Sequence, residues 1–336
     1  MIRKIHHGPV YREVLSHAIR TAWQDKRYWV LSIFAGFLVS AGAYDVLWKS
    51  VNSFSMEYGA VNIGAGKAFL NAIQTSASGF HSIISIIGGI ETLLLLALIL
   101  VFFIALSCVS QGGLIYAMGA RKRGQKPELN EAFKVGAGAF WPILVLNVLV
   151  LAVLWILRFI VTLPLYLAIE QTTSAAYTVY LVSFIIFIPL VFLIAIVQIF
   201  ALNALILQGA PLAAAIERGY KLFTKHWVVI IETAVIQALL SIGIWILFMF
   251  GYLFLMIPVL VFFIAAAIIQ SSTLFAISVI IGLVIFFLGT LAAAAFTIQL
   301  QYATWTYLYR KLGEGGVVPK LHRIIRNATG FFKINS

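Results

Sequence analysis

Between residues 227 and 269 the chain carries a single charged side chain, Glu232. A helix facing water needs a polar face repeating every 3.6 residues, and this run has none. A bilayer span needs about 20 consecutive, mostly apolar residues. Runs of that kind recur along the chain and predict six spans, near residues 28–48, 91–119, 136–157, 179–207, 227 to beyond 249, and 274–309. The runs are continuous rather than alternating, which excludes the strands of a transmembrane barrel. Pro258 predicts a break in the fifth run, since proline removes one helical hydrogen bond and crowds the preceding turn. Splitting the region 227–309 further would make seven spans and put the two ends of the chain on opposite sides.

The charges favour six. Of 336 residues, 62% are apolar and 10% charged, against about 25% charged in a soluble domain. Mean hydropathy is +1.04. So few charges cannot cover a soluble surface, which excludes a soluble enzyme, a nucleic-acid reader or a disordered chain. The formal charge of +12 is explained by where the basic residues lie. With six spans, twenty of the 23 Lys and Arg residues fall on one side, in the N-terminal segment, the loops after spans two and four, and the tail. Lys49 and Lys67 fall on the other side, with Arg158 near that face. Such a bias marks the cytoplasmic side, so both termini are expected there, with no signal peptide. Trp29, Trp141 and Trp227 each open an odd-numbered span on that side, at the headgroup depth tryptophan favours. Cys108 is the only cysteine, which leaves no intrachain disulfide or cysteine-based metal site.

The approaches to the odd spans resemble one another. Leu15, Ala18 and Ile19 precede Trp29; Leu129, Ala132 and Phe133 precede Trp141; Leu212, Ala215 and Ile216 precede Trp227. Pro127 and Pro211 stand ahead of the second and third copies, a position suited to a helix start. One stripe collects Val10, Val14, Leu15, Ala18, Ile19, Ala22 and Trp23; another collects Leu212, Ala215, Ile216, Gly219, Tyr220 and Phe223. Arg12, Arg20, Arg218 and Lys221 lie on the opposite faces. A basic amphipathic helix beside a span lies in the interface, where each Lys or Arg gains about 1 kcal/mol from anionic headgroups. These four are the candidate headgroup contacts. The repeated unit is an interfacial helix followed by a two-span hairpin. Three divergent copies fall at about 10–120, 127–208 and 209–310, followed by a basic cytoplasmic tail at 310–336 and all within one membrane domain.

The stretch 209–227, with Pro211, Leu212, Ala215, Ile216, Arg218, Tyr220, Leu222 and Trp227, resembles the recurring cytoplasmic segment of a bacterial family of integral membrane proteins. Gln111 to Ala117 and the segment from Pro127 to Trp141 look like its stand-alone members. The family includes the membrane domain attached to some glycerophosphodiester phosphodiesterases. The resemblance implies a helical protein of the bacterial cytoplasmic membrane. The phosphodiesterase barrel, about 250 residues, has no room here, so that activity is not implied and no catalytic residue of the family maps onto this chain.

No His-Glu-x-x-His, Walker loop or Gly-x-Ser-x-Gly elbow occurs; Gly64-Ala65-Gly66-Lys67 lacks the spacing of a phosphate loop. His6, His7, His17, His81, His226 and His322 make no metal-ligand spacing with a carboxylate. Ionisable groups within spans are the default functional candidates. Arg158 lies roughly 33 Å along span three and Glu232 roughly 8 Å into span five, while Glu91 opens span two. Asn147 and Gln237 sit roughly 15 Å into their spans. These five form the candidate intramembrane polar site, with Arg158 and Glu91 able to close the outer end of a cavity. The long loop 49–81, a small helix at 67–77 and the basic stretch 320–326 complete the outline.

The expected protein is therefore all-α, a polytopic membrane bundle of about six spans with cytoplasmic amphipathic helices. It needs no cofactor and binds no nucleic acid. Its expected role is non-catalytic, binding anionic lipid or organising membrane components through basic interfacial helices. Transport of a small or amphiphilic solute is the alternative.

Overall fold

A computed structural model describes residues 10–39, 84–171 and 174–314. Their regular structure is helical: α1 (Val10–Gln24), a 3-10 turn (Lys26–Tyr28), α2 (Trp29–Val39), α3 (Ile84–Lys122), α4 (Leu129–Gly138), α5 (Phe140–Gln171), α6 (Ser174–Gln208), α7 (Leu212–Ile268) and α8 (Ser272–Glu314). Five helices, α3 and α5 to α8, are long and apolar enough to cross a membrane. Only the first 11 residues of the expected first span are described, as α2. The loop 49–81 with its helix at 67–77, the stretch 320–326, and His6, His7, His81 and His322 lie outside the described residues.

Two boundaries differ from expectation. The third span was expected from residue 136, but Gly136 and Gly138 belong to α4, and the helix breaks at Ala139 (φ −101°, ψ 12°). Glycine is a poor helix former, and Pro142 fits the first turn of α5, where its missing N–H leaves nothing unsatisfied. The expected break at Pro258 is absent. Pro258 lies inside α7, whose one non-helical residue is His226 (φ −130°, ψ 25°). A backbone among lipid tails has no water to bond its freed groups, so the chain stays helical there. It breaks where the basic segment meets the apolar one. The chain then turns once, at Gln270, whose φ is 56°. The amide of Ser271 donates to the Ala266 carbonyl at 3.0 Å, the closure of a Schellman cap. The region 227–314 thus holds two helices.

Contacts sort the chain into two compact units, residues 1–36, 108–146 and 195–336 in one, and 37–107 and 147–194 in the other. In the first unit α8 packs along α7 and against α1. Thr21 Oγ1 and Tyr307 Oη lie 2.8 Å apart, and Lys311 Nζ pairs with Glu13 at 2.9 Å, so the first and last described helices share one end of the unit. Glycines set two closer approaches. A Cβ on Gly136 of α4 would lie 2.0 Å from the Val109 carbonyl oxygen of α3, and one on Gly219 of α7 would lie 2.8 Å from the Val197 carbonyl oxygen of α6.

Ala18, Ala132 and Ala215, the alanines of the three similar approaches, are each fully buried. Ile19, Trp23 and Tyr220 on the expected stripes are exposed instead. Val14 and Leu15 of the first stripe are buried with the alanines, so the stripes face the protein in part only. The core of this unit includes Leu114, Met118, Ile143, Phe200, Ile230 and Leu300, with Trp305 edge-on to Phe200 at 6.1 Å. In the second unit Leu154, Phe187 and Val191 are buried, and Phe184 lies 6.3 Å from Phe187. Across the far parts of α7 and α8, leucine, isoleucine and phenylalanine are mostly exposed. Exposure on this scale is untenable in water and fits a multi-pass membrane protein.

Candidate functional site

Arg218, Lys221 and Lys225 recur at helical spacing on the segment of α7 ahead of the His226 break, so they share one face. They line a pocket of about 610 Å³ within the first unit. The other walls are the ends of three helices. α3 and the turn after it supply Tyr116 and Arg123, α6 supplies Ile206, Leu207 and Gln208, and α8 supplies Tyr309, Arg310, Gly313 and Glu314. The volume lies in the range of about 300–1,000 Å³ common to small-molecule sites.

Local chemistry explains the shape. α6 ends at Gly209, with φ 63° and its amide bonded to the Leu205 carbonyl, a left-handed cap that glycine adopts without strain. Pro211 then starts α7. α3 ends at Gly124 (φ 80°), with the Gln125 amide bonded to the Ala120 carbonyl at 3.2 Å. The two caps place Arg123 and the α7 cations on one pocket.

The electrostatics are lopsided. Arg218 Nη1 donates to Gln208 Oε1 at 2.6 Å, and Arg310 Nη1 donates to the Gly119 carbonyl at 2.5 Å. Both acceptors are neutral, and among the described residues neither guanidinium makes an ion pair, although the Glu217 carboxylate lies within electrostatic reach of Arg218. Lys221 is paired with Glu217 at 2.5 Å, and that lysine holds the Glu217 carboxyl below its ordinary value. Among the described residues no ion pair reaches Arg123 or Lys225, and Glu314 is the only acid lining the pocket. Four cations without an ion pair among the described residues thus share the lining with one carboxylate, and Tyr116 of the wall donates to a second, Glu131. Among the described residues the lining has no histidine, cysteine, serine, threonine or aspartate. Such a site can bind and orient a multivalent anion beside an apolar wall.

A second polar cluster ties this end together. Arg121 Nε lies 2.7 Å from Asp25 Oδ2, with both side chains largely buried. Gln299 Nε2 donates to the Asp25 carbonyl at 3.3 Å, and Tyr28 Oη donates to the Pro127 carbonyl at 2.5 Å. Burial pushes the Tyr28 phenol above its ordinary value.

Of the sequence-derived headgroup contacts, Arg218 and Lys221 line the pocket, while Arg12 and Arg20 are exposed on α1 and do not. The candidate intramembrane residues fall in different units. Gln237 and Glu232 belong to the first; Asn147, Arg158 and Glu91 belong to the second. Gln237 is buried, and its Nε2 lies 3.5 Å from Ser241 Oγ. Asn147 is buried, and the Arg158 guanidinium lies 5.2 Å from the Trp155 ring centroid. Glu91 is on α3, its side chain outside the described set. Sequence reasoning missed Arg123, Lys225, Arg310 and the two tyrosines as site residues. The three cations entered it as markers of sidedness, and Lys225 also as a possible partner of Glu232.

The fold and this site define a polytopic helical membrane protein with a cationic pocket in its first unit. No family model, curated protein or solved structure matches the chain.

Proposed function

We propose that the protein is a non-catalytic, multi-pass protein of the bacterial cytoplasmic membrane that binds anionic lipid at its basic end. The observation that carries this reading is the pocket itself. Four cations without an ion pair among the described residues and an apolar wall of Ile206, Leu207 and Leu222 suit a charged headgroup with an attached chain. Exposed Trp23 and Trp227, with Lys26 Nζ 5.2 Å from the Trp23 ring, favour a headgroup-depth position for the same end.

In this reading the basic end is cytoplasmic, α2 begins a sixth span, and both termini are cytoplasmic. Three divergent units, each an interfacial helix leading into a hairpin, are supported by the shared burial of Ala18, Ala132 and Ala215. The resemblance to the stand-alone relatives of phosphodiesterase membrane domains agrees with this layout. Organisation of other membrane components is a further role open to such a lipid-binding surface. Solute transport has one observation in its favour, the Gln237 Oε1 atom, buried with no hydrogen-bond partner among the described residues.

The test is reconstitution of the full chain into nanodiscs of mixed phosphatidylglycerol and phosphatidylcholine, followed by extraction and analysis of the lipid retained. Retained lipid should be enriched in phosphatidylglycerol, and Arg218→Gln with Lys225→Gln should abolish the enrichment. Retained lipid matching the bulk composition sinks the proposal.

A further inference from the structure

We propose that the cationic pocket recognises a diphosphate group, carried as the headgroup of a lipid. This deepens the lipid-binding reading and rests on it for the lipid, while the diphosphate chemistry rests on the pocket alone.

The charge balance sets the valence of the ligand. Arg123, Arg218, Lys225 and Arg310 line the pocket without an ion pair among the described residues, against Glu314 alone. Counted over the lining side chains the surplus is three positive charges, with the Glu131 carboxylate behind Tyr116 the nearest acid outside the lining given by a hydrogen bond to it. A phosphodiester headgroup carries about one negative charge and leaves two of them unbalanced. A terminal phosphate adds about 1.5 to 2, so a diphosphate ester carries close to three in all and balances the surplus. The cations also come from separate elements: the turn after α3, one face of α7, and the end of α8. That spread suits two linked phosphates held from different sides. Arg218 and Arg310 are already fixed by Gln208 and the Gly119 carbonyl, and planar guanidiniums so held can grip phosphate oxygens in pairs. The volume, about 610 Å³, leaves room for more than a single phosphate. Ile206, Leu207 and Leu222 offer the first atoms of a chain an apolar wall.

The experiment measures binding of three probes to the full chain in neutral detergent micelles: farnesyl diphosphate, farnesyl monophosphate and inorganic pyrophosphate. Farnesyl diphosphate should bind at least about tenfold tighter than the monophosphate, the effect of one charge-assisted hydrogen bond. Arg123→Gln and Lys225→Gln, whose side chains hold no other element in place, should each weaken it about as much. Thermal melting of each variant at the wild-type temperature separates lost binding from lost folding. Equal affinity for the two farnesyl esters overturns the diphosphate assignment and leaves anionic-lipid binding standing. Pyrophosphate binding as tight as farnesyl diphosphate upholds diphosphate recognition, makes the ligand soluble, and overturns the lipid source. Failure of all three probes in a protein that still retains phosphatidylglycerol overturns this inference alone.

Discussion

Asp25 is the only acid between Glu13 and Asp45, and Lys26 and Arg27 follow it directly. In the fold it is buried against Arg121 of α3 at 2.7 Å. Removing one partner of a buried pair leaves the other charge without compensation, which costs about 3–5 kcal/mol. Asp25→Asn should therefore lower the melting temperature in detergent clearly, and Asp25→Leu combined with Arg121→Met should recover most of the loss. Unchanged melting of Asp25→Asn would show that the pair contributes nothing. Tyr28 beside it gives a pH dependence. Its phenol is held above the ordinary value of 10.0 by burial, so the folded state keeps a proton that the unfolded chain releases first. That stabilisation is complete below the ordinary tyrosine value and is lost as pH rises through the raised one. Melting temperatures measured from about pH 8 to pH 11 should fall less steeply at the alkaline end in Tyr28→Phe. The same variant should be about 1 kcal/mol less stable at neutral pH through loss of the bond to Pro127. Equal alkaline slopes would contradict the assignment.

Among the elements, α4 offers a comparison inside one helix. A methyl group on Gly136 would sit 2.0 Å from a backbone oxygen of α3, whereas one on Gly138 meets nothing within 4 Å. Gly136→Ala should cost about 1–3 kcal/mol or more by forcing α4 off α3, and Gly138→Ala should be neutral or slightly stabilising. Equal melting temperatures for the two variants would refute the close approach. This pair also shows where sequence reading ends. The shared Leu-x-x-Ala pattern of Ala18, Ala132 and Ala215 was legible, but their burial was not, because a stripe does not say whether lipid or protein covers it. The role of Gly136 was not legible, because a glycine inside an apolar run reads as part of the span until a partner backbone is known. Likewise Arg218 and Lys221 share a helical face visible in the sequence. Arg123 and Arg310 join them only because the C-terminal ends of α3 and α8 meet the start of α7, and no local periodicity encodes that convergence. Pro258 misled because its local cost is outweighed by the need to keep a lipid-facing backbone bonded.

At the scale of the whole molecule, lengths decide where the bilayer lies. From residue 227 to 268, α7 runs about 63 Å at 1.5 Å per residue, twice the hydrocarbon thickness of about 30 Å. The stretch nearest His226 is partly enclosed by protein, with Val229, Ile230, Thr233 and Gln237 buried. Trp227, Ile231 and Val235 are exposed as well, so apolar surface runs the whole of that length, beyond the roughly 40–45 Å of a bilayer with its headgroups, and tilt of up to about 40° takes up much of the excess. The bilayer therefore belongs along the apolar length of α7 and α8, with the cationic pocket on the Trp227 side. Cysteine labelling reads this directly, since Cys108 is buried and can be replaced by serine. In that background, Leu247→Cys, Leu255→Cys and Leu283→Cys, at positions exposed on the hairpin, should resist a membrane-impermeant maleimide added on either side. Lys225→Cys should react from one side only. Reaction of Leu255→Cys as fast as Lys225→Cys would place the far end of the hairpin in water, and would move both the bilayer and the pocket's relation to it.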